Sequence, residues 1–304
     1  LNSPVHISVC VCTFRRPELL KDLLRGLAAQ MSNKNFTYSI VVVDNDRRES
    51  GRKTVEQFRK EYAGEISYCV EPLQSIALAR NRAVAHANGQ FVAFIDDDEV
   101  PGIDWLATML NCLLHYQAHG VLGPVKPRYS VAPAQWALRA GIFDRPNSQE
   151  YPSGAKLSAN QTGTGNALIR RCIFNQIQGP FKSEFGSGGE DIDFFRRAME
   201  SGKVFVWCAE AVVHETVPAE RIRVGFQIKR ALLRGKVALA GPSGSMLGIL
   251  KSLLACGLYI VILPPSVLFG RHMFLRYLIR LCDHGGKLLA LFGLHPVKQT
   301  YVLE

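Results

Sequence analysis

The sequence predicts an α/β fold, a mostly parallel sheet flanked by helices, followed by a basic, apolar helical region that associates with membranes. Three observations carry this prediction. Short β-rich runs alternate with helical patterns through the first half of the chain, the order that parallel strands and crossover helices require. Residues 221–304 hold twelve Lys/Arg against two acids, Asp283 and Glu304, so the +10 formal charge of the 304-residue chain belongs to that stretch and residues 1–220 are neutral. Residues 252–270 run nineteen positions without a charge, close to the ~20 that span a bilayer. The chain is therefore read as two domains, 1–220 and 221–304.

Taken in order, residues 5–12 are an apolar, β-rich strand. Pro17 suits a helix start, and Leu19, Leu20, Leu23, Leu24 and Leu27 recur at helical spacing to give a core-facing stripe. Residues 38–43 are a second strand, 52–62 a helix and 66–70 a third strand. A helix over 75–88 is closed by Gly89, an expected C-terminal glycine. A fourth strand, 90–95, runs directly into an acidic cluster. Residues 121–129 and 167–169 read as strands, 190–200 as a helix, and 204–207 and 211–213 as short strands. Between them, residues 141–164 are rich in Gly, Pro, Ser, Asn and Gln without periodicity, and a loop of that length is usually functional. With Trp136 it is expected to shape one side of the site.

The eight cysteines show no C-x-x-C spacing and fall mostly within apolar runs. They read as small buried thiols in a reducing compartment rather than a zinc site or a disulfide framework. No charged leader followed by an apolar run opens the sequence, so residues 1–220 are expected to face the cytoplasm.

Ligands of open α/β sheets bind beyond the carboxyl ends of strands, and Thr13, Asp44 and Asp96 each fall at such an end. Asp96-Asp97-Asp98-Glu99 places four carboxylates there. Packing like charges costs free energy unless a cation neutralises them, and hard oxygen ligands suit Mg²⁺ or Mn²⁺. The same run also reads as a solvated acidic turn, or as acids favouring the dipole of a following helix. His214, after the strand 211–213, can offer an imidazole to the same ion or be an ordinary surface residue. Gly188-Gly189-Glu190-Asp191-Ile192-Asp193 opens a helix. Its acids are ordinary dipole partners, or, on a flexible glycine entry, include a carboxylate that removes a proton from an acceptor hydroxyl.

The ordered series Thr13-Phe14-Arg15-Arg16-Pro17, Val43-Asp44-Asn45-Asp46, Ala79-Arg80-Asn81, Ala87-Asn88-Gly89, Phe94-Ile95-Asp96-Asp97-Asp98, Gly163-Thr164-Gly165-Asn166, Gly179-Pro180-Phe181 and Gly189-Glu190-Asp191-Ile192-Asp193 resembles the family 2 glycosyltransferases of GT-A fold over about residues 5–215. The resemblance implies inverting transfer from a nucleoside-diphosphate sugar, a UDP sugar by family habit, with Mn²⁺ or Mg²⁺ as cofactor. By similarity Thr13 and Asp44 line the nucleoside pocket and Arg80 lies on the helix bordering it. Asp96 and Asp98 match the D-x-D pair, Asp98 as direct metal ligand and Asp96 between ribose and ion. His214 sits where related enzymes offer a further metal ligand. Asp191 matches the general base. Two departures matter. Cys12-Thr13-Phe14-Arg15 replaces the family's Pro-Thr-Tyr-Asn and lacks its tyrosine hydroxyl. Gln227-Ile228-Lys229-Arg230-Ala231 lacks the tryptophan of the processive synthases' Gln-x-x-Arg-Trp, which favours addition of a single sugar.

In the tail, Pro264-Pro265 interrupts the apolar run and both flanks are basic, with Arg230, Arg234, Lys236 and Lys251 before and Arg271, Arg276, Arg280 and Lys287 after. Neither flank wins by the positive-inside preference, so a segment that enters, breaks at the prolines and returns is expected, giving peripheral or monotopic attachment to the cytoplasmic face of the inner membrane. Residues 274–281 and 288–294 look amphipathic and basic, suiting anionic lipid. The bland alternative is an ordinary helical subdomain. A membrane tail would bring the site to a lipid-linked acceptor, so a polyprenyl-diphosphate-linked or other glycan acceptor and no nucleic-acid partner are expected; the tail, with its Lys287-Leu288-Leu289-Ala290-Leu291-Phe292-Gly293 stretch, also resembles bacterial β-glycosyltransferases of succinoglycan-type exopolysaccharide assembly. Two other classes compete with this reading. A metal-dependent nucleotidyltransferase shares the acids but here lacks a glycine-rich, lysine-bearing phosphate loop. A non-catalytic nucleic-acid or membrane-binding protein would explain the charge of the tail but not the neutral front with its motifs.

Overall fold

A computed structural model describes residues 4–32, 36–143, 151–185, 188–240, 244–294 and 296–297. The strands are β1 (Val5–Thr13), β2 (Phe36–Asp44), β3 (Glu65–Val70), β4 (Phe91–Ile95), β5 (Glu99–Pro101), β6 (Gly120–Leu122), β7 (Val125–Tyr129), β8 (Asn166–Arg170), β9 (Phe205–Trp207) and β10 (Val213–Val217). The helices are α1 (Pro17–Ala28), α2 (Arg52–Glu61), α3 (Ile76–His86), α4 (Trp105–His115), α5 (Gln135–Arg139), α6 (Cys172–Gln176), α7 (Glu190–Glu200), α8 (Ala219–Ile222), α9 (Val224–Ala240), α10 (Met246–Ser266) and α11 (Arg271–Leu291). They form two compact units, residues 1–126 with 145–216, and residues 127–144 with 217–304.

The first unit is built on a seven-stranded sheet in the order β3-β2-β1-β4-β8-β6-β9. β1, β2, β3 and β4 pair in parallel, as do β6 and β9, while β8 runs antiparallel to both β4 and β6. Alternate side chains of β1 divide between two cores: Ile7, Val9 and Val11 join the leucine stripe of α1 on one face, and Cys10 joins the other. Of that stripe Leu20, Leu23, Leu24 and Leu27 are fully buried, each contributing about 1.5–3 kcal/mol of transfer free energy. The opposite core is aromatic. Phe174 stacks on Phe194 at 5.1 Å and Phe195 meets Phe205 edge-on at 4.9 Å, which ties α7 to the sheet.

Three boundaries differ from the sequence reading, each for a local reason. α3 ends at His86 and Gly89 does not cap it; a Cβ at Gly89 would lie 2.6 Å from the His6 carbonyl oxygen, so this glycine permits close approach to β1. The expected strand 121–129 is broken between β6 and β7, where Gly123 admits the Asn166 amide so closely that a Cβ would lie 2.7 Å from its Nδ2. The strand expected at 211–213 lies instead at Val213–Val217, and β10 pairs antiparallel with β5. Within the long segment 141–164, residues 144–150 lie outside the described ones and residues 159–161 form a 3-10 turn capped by Ser158.

In the second unit α9, α10 and α11 pack side by side. The two amphipathic segments expected at 274–281 and 288–294 belong largely to one helix, α11. Gly235 of α9 and Gly286 of α11 allow the two backbones to touch, since a Cβ on either would collide with a carbonyl oxygen of the other helix. Pro264 and Pro265 fall in the last turn of α10 without breaking it; the reversal comes at Gly270, whose φ of +103° suits glycine alone. Met246–Phe269 is long and apolar enough to cross a membrane, with only 6% of its most apolar window buried.

Candidate active site

The sheet delivers its polar groups to one edge. Thr13 and Asp44 are register partners at the carboxyl ends of β1 and β2, and Asp96 follows the last residue of β4. The acidic run that follows is resolved into separate tasks. Thr13 Oγ1 donates to Asp97 Oδ2 at 2.8 Å, and Arg16 Nη1 donates to Asp97 Oδ1 at 3.0 Å and Asp98 Oδ2 at 3.3 Å. Burial pushes the Asp97 carboxyl up to about 6, against the opposing pull of the Arg16 guanidinium. Glu99 Oε2 accepts the Asp96 N–H at 3.2 Å, closing the turn. Much of the like-charge repulsion inferred from the sequence is thus met by Arg16. Asp98 and Glu99 are buried, whereas the Asp96 side chain is 41% exposed.

Asp44 is fully buried. Its Oδ2 accepts the Gly51 N–H at 2.6 Å and the Tyr68 hydroxyl at 2.9 Å, and its Oδ1 accepts the Asp46 N–H at 3.0 Å. Desolvation raises its pKa, with these hydrogen bonds acting in the opposite sense. The carboxylate therefore organises the loop between β2 and α2, and Asn45 does the same for the next loop by donating to the Glu71 and Leu73 carbonyls.

Arg80 joins the two acidic segments. It lies on α3, is 8% exposed, pairs with Glu190 at the start of α7, and stands 3.7 Å from Asp96 Oδ1. Glu190 Oε2 is buried with no hydrogen-bond partner among the described residues. The entry to α7 is made by Gly188 and Gly189 at φ +124° and +96°, conformations that side chains resist. Asp191, next in the helix, is half-buried; its Oδ1 accepts the Ile192 N–H at 2.8 Å and its Oδ2 faces Gly163. Asp193 is turned to structure, bonded to Arg196 and Arg197, the latter also donating to the carbonyls of Gln178, Gly179 and Pro180.

Thr13 and Asp98 are therefore linked through Asp97 and Arg16, while Arg80 links Asp96 to Glu190, the neighbour of Asp191. His214 is inside β10, exposed, opposite Val100 of β5. The strand passes the acidic run, because the Thr216 N–H donates to the Asp98 carbonyl at 2.7 Å. Among the described residues no three His, Cys, Asp or Glu side chains converge as a preformed metal cage. Arg16, Tyr68 and Glu190 were given no separate role from sequence; the available signal was the acidic run itself, since buried acids need cationic or hydroxyl partners.

Comparison with known proteins agrees with this architecture. The family model described as glycosyl transferase family 2 matches residues 8–177. The succinoglycan biosynthesis protein ExoM of Rhizobium meliloti is 34% identical, over 98% of this chain and 96% of that protein. Among solved structures, the mannosyltransferase PcManGT from Pyrobaculum calidifontis, in complex with GDP-Man and Mn²⁺, superposes with a TM-score of 0.59 at 18% identity, covering 95% of this chain and 88% of its own. Staphylococcus aureus TarS 1–349 in complex with UDP gives 0.54 at 16% identity, covering 96% and 93%. The nucleotidyltransferase and non-catalytic readings fall away, and the chain belongs to glycosyl transferase family 2, as an enzyme of GT-A fold.

Proposed function

We propose that the chain transfers one sugar, with inversion, from a nucleoside-diphosphate sugar, a UDP sugar first, to a lipid-linked oligosaccharide or other glycan acceptor in polysaccharide synthesis at the cytoplasmic face of the inner membrane. The observation that carries this reading is the Arg80 bridge, which brings the acids after β4 and the start of α7 to one site. The likeness to a succinoglycan biosynthesis protein supports the acceptor class, and the exposed apolar α10 supports the location.

Thr13 and Asp44 border the nucleoside through the loops they hold. Asp98, with Asp96 and His214, would hold a divalent ion, Mg²⁺ or Mn²⁺; Mg²⁺ commonly takes one or two carboxylates together with substrate phosphates. Such an ion would neutralise the charge of the departing diphosphate. Asp191 accepts the proton of the acceptor hydroxyl as that oxygen attacks the face opposite the diphosphate, and a single displacement inverts the anomeric centre. Arg80 keeps Asp96 and the base-bearing helix in register.

The test is turnover of UDP sugars by the full chain, with the anomeric configuration of the product read by NMR. Asp191→Asn is expected to lower turnover about 10²–10⁴-fold with an unchanged melting temperature. Normal turnover by this variant, or a retained anomer, would overturn the assignment. Chelation of divalent ions is expected to abolish transfer and, if it does not, removes the metal role of Asp96, Asp98 and His214.

A further inference from the structure

The second unit contains an open pocket of about 170 Å³, lined by Arg234, Arg276, Arg280, Asp283, Ile279 and Gly141 among others, with all three arginines exposed. That volume is well above the ~10–15 Å³ one water needs. Arg276 and Arg280 are one helical turn apart on α11 and Asp283 follows on the same face. Arg234 comes from α9 and is fixed by Asp283, with Nε to Oδ1 at 2.9 Å and Nη2 to Oδ2 at 3.1 Å. Two of its five donors are spent on that carboxylate and the rest remain. Among the described residues, neither Arg276 nor Arg280 has an ion-pair partner, so the lining of three guanidinium groups and one carboxylate carries a formal charge of +2.

Two arginines held a turn apart repel one another and weaken the helix that carries them. Arginine forks grouped around an open pocket match the oxygens of a phosphate or diphosphate group, which relieves that repulsion through charge-assisted bonds. α11 also packs against α10, the apolar helix with Leu254, Leu258 and Val261 exposed. We propose that this cavity is a binding site for a terminal phosphate or diphosphate group, and that its source is the headgroup of a lipid lying against α10. The choice of lipid as source rests on the membrane association proposed above; the anion site itself does not.

The experiment uses the full chain and two arms, both in chelator so that no metal-dependent binding contributes. In the first, vesicles of neutral phosphatidylcholine, the same with a few mole per cent of a prenyl diphosphate, and the same with phosphatidylglycerol at equal charge are compared by flotation. Binding to neutral vesicles is expected, with about tenfold tighter binding to the diphosphate vesicles than to the charge-matched ones. Arg276→Gln/Arg280→Gln should lose that preference while keeping neutral-vesicle binding, and Lys251→Gln/Arg271→Gln, which removes equal charge outside the cavity lining, should keep the preference. In the second arm, inorganic diphosphate is titrated calorimetrically into the chain and the Arg276→Gln/Arg280→Gln variant. Equal affinity of the two proteins for diphosphate, or a preference that survives the double substitution, overturns the site. Arginine-dependent binding of free diphosphate with no vesicle binding overturns the lipid source and the membrane reading, and leaves a site for a soluble phosphate compound.

Discussion

Glu190 and Asp191 are adjacent acids whose surroundings separate their work. Glu190 is 2% exposed and its visible partner is Arg80, itself buried. Removing Glu190 leaves the buried Arg80 guanidinium with only the more distant, part-exposed Asp96 carboxylate, so Glu190→Ala is expected to destabilise the protein by roughly 3 kcal/mol in urea unfolding, the low end for a broken buried pair. Asp191 is half-buried and bonded only within its own turn among the hydrogen bonds seen, so Asp191→Asn should stay within about 0.5 kcal/mol of the parent. Equal losses in the two variants would mean that Asp191 is also a structural acid. The acidic motifs were visible in the sequence, because runs such as Asp96–Glu99 are conspicuous. Their division of labour was not, since burial decides it: Asp97 and Glu99 turn inward to Thr13, Arg16 and the Asp96 amide, and Asp96 keeps its exposure.

At the scale of elements, the far edge of the sheet depends on one imidazole. His119 precedes β6, and its Nδ1 accepts the Val204 N–H at 3.0 Å, while the His119 backbone N–H donates to the Val204 carbonyl at 2.9 Å. Burial, with Lys203 and Arg170 nearby, lowers its pKa from 6.5. A histidine whose folded-state pKa lies below its unfolded one binds fewer protons when folded, so its contribution is complete above about pH 6.5 and is lost as pH falls through the folded pKa. Urea midpoints should therefore drop on acidification below pH 6.5, and His119→Asn, whose amide oxygen can accept the same N–H, should flatten that part of the profile; an unchanged slope would assign it to other groups. The strands of the parallel half were legible because 5–12, 38–43 and 90–95 are short runs dominated by β-branched, aromatic and other apolar residues, broken only by His6, Ser8, Ser39 and Gln90. β10 was displaced because Val213–Val217 alternates only partly, with Val213 and Val217 buried around His214, Glu215 and Thr216. The antiparallel direction of β8 leaves no mark in a five-residue apolar strand; it follows from the whole topology.

At the scale of the molecule, the chain carries apolar surface that water does not favour. Leu254, Leu258 and Val261 of α10 are 66%, 56% and 72% exposed, and they belong to a helix with only two buried residues, Ser252 and Ser266. Patches of this kind are uncommon on soluble monomers and mark interaction surfaces. The basic residues flanking the helix add an attraction to anionic lipid that salt screens, whereas burial of leucine side chains in hydrocarbon does not depend on salt. The two contributions can thus be separated. The full chain should sediment with membranes, stay there in high salt and be released by detergent. Replacing Leu254, Leu258 and Val261 together with serine removes about 1.5–3 kcal/mol of burial per side chain, which corresponds to a loss of partitioning into neutral vesicles of at least ~10³-fold. The same triple variant should retain turnover with a water-soluble acceptor, because the substituted positions lie outside residues 8–177 matched by the transferase family. Release of the parent chain by salt alone would mean that charge, and not α10, holds it at the surface, and the exposed leucines would then have to be covered by something other than lipid.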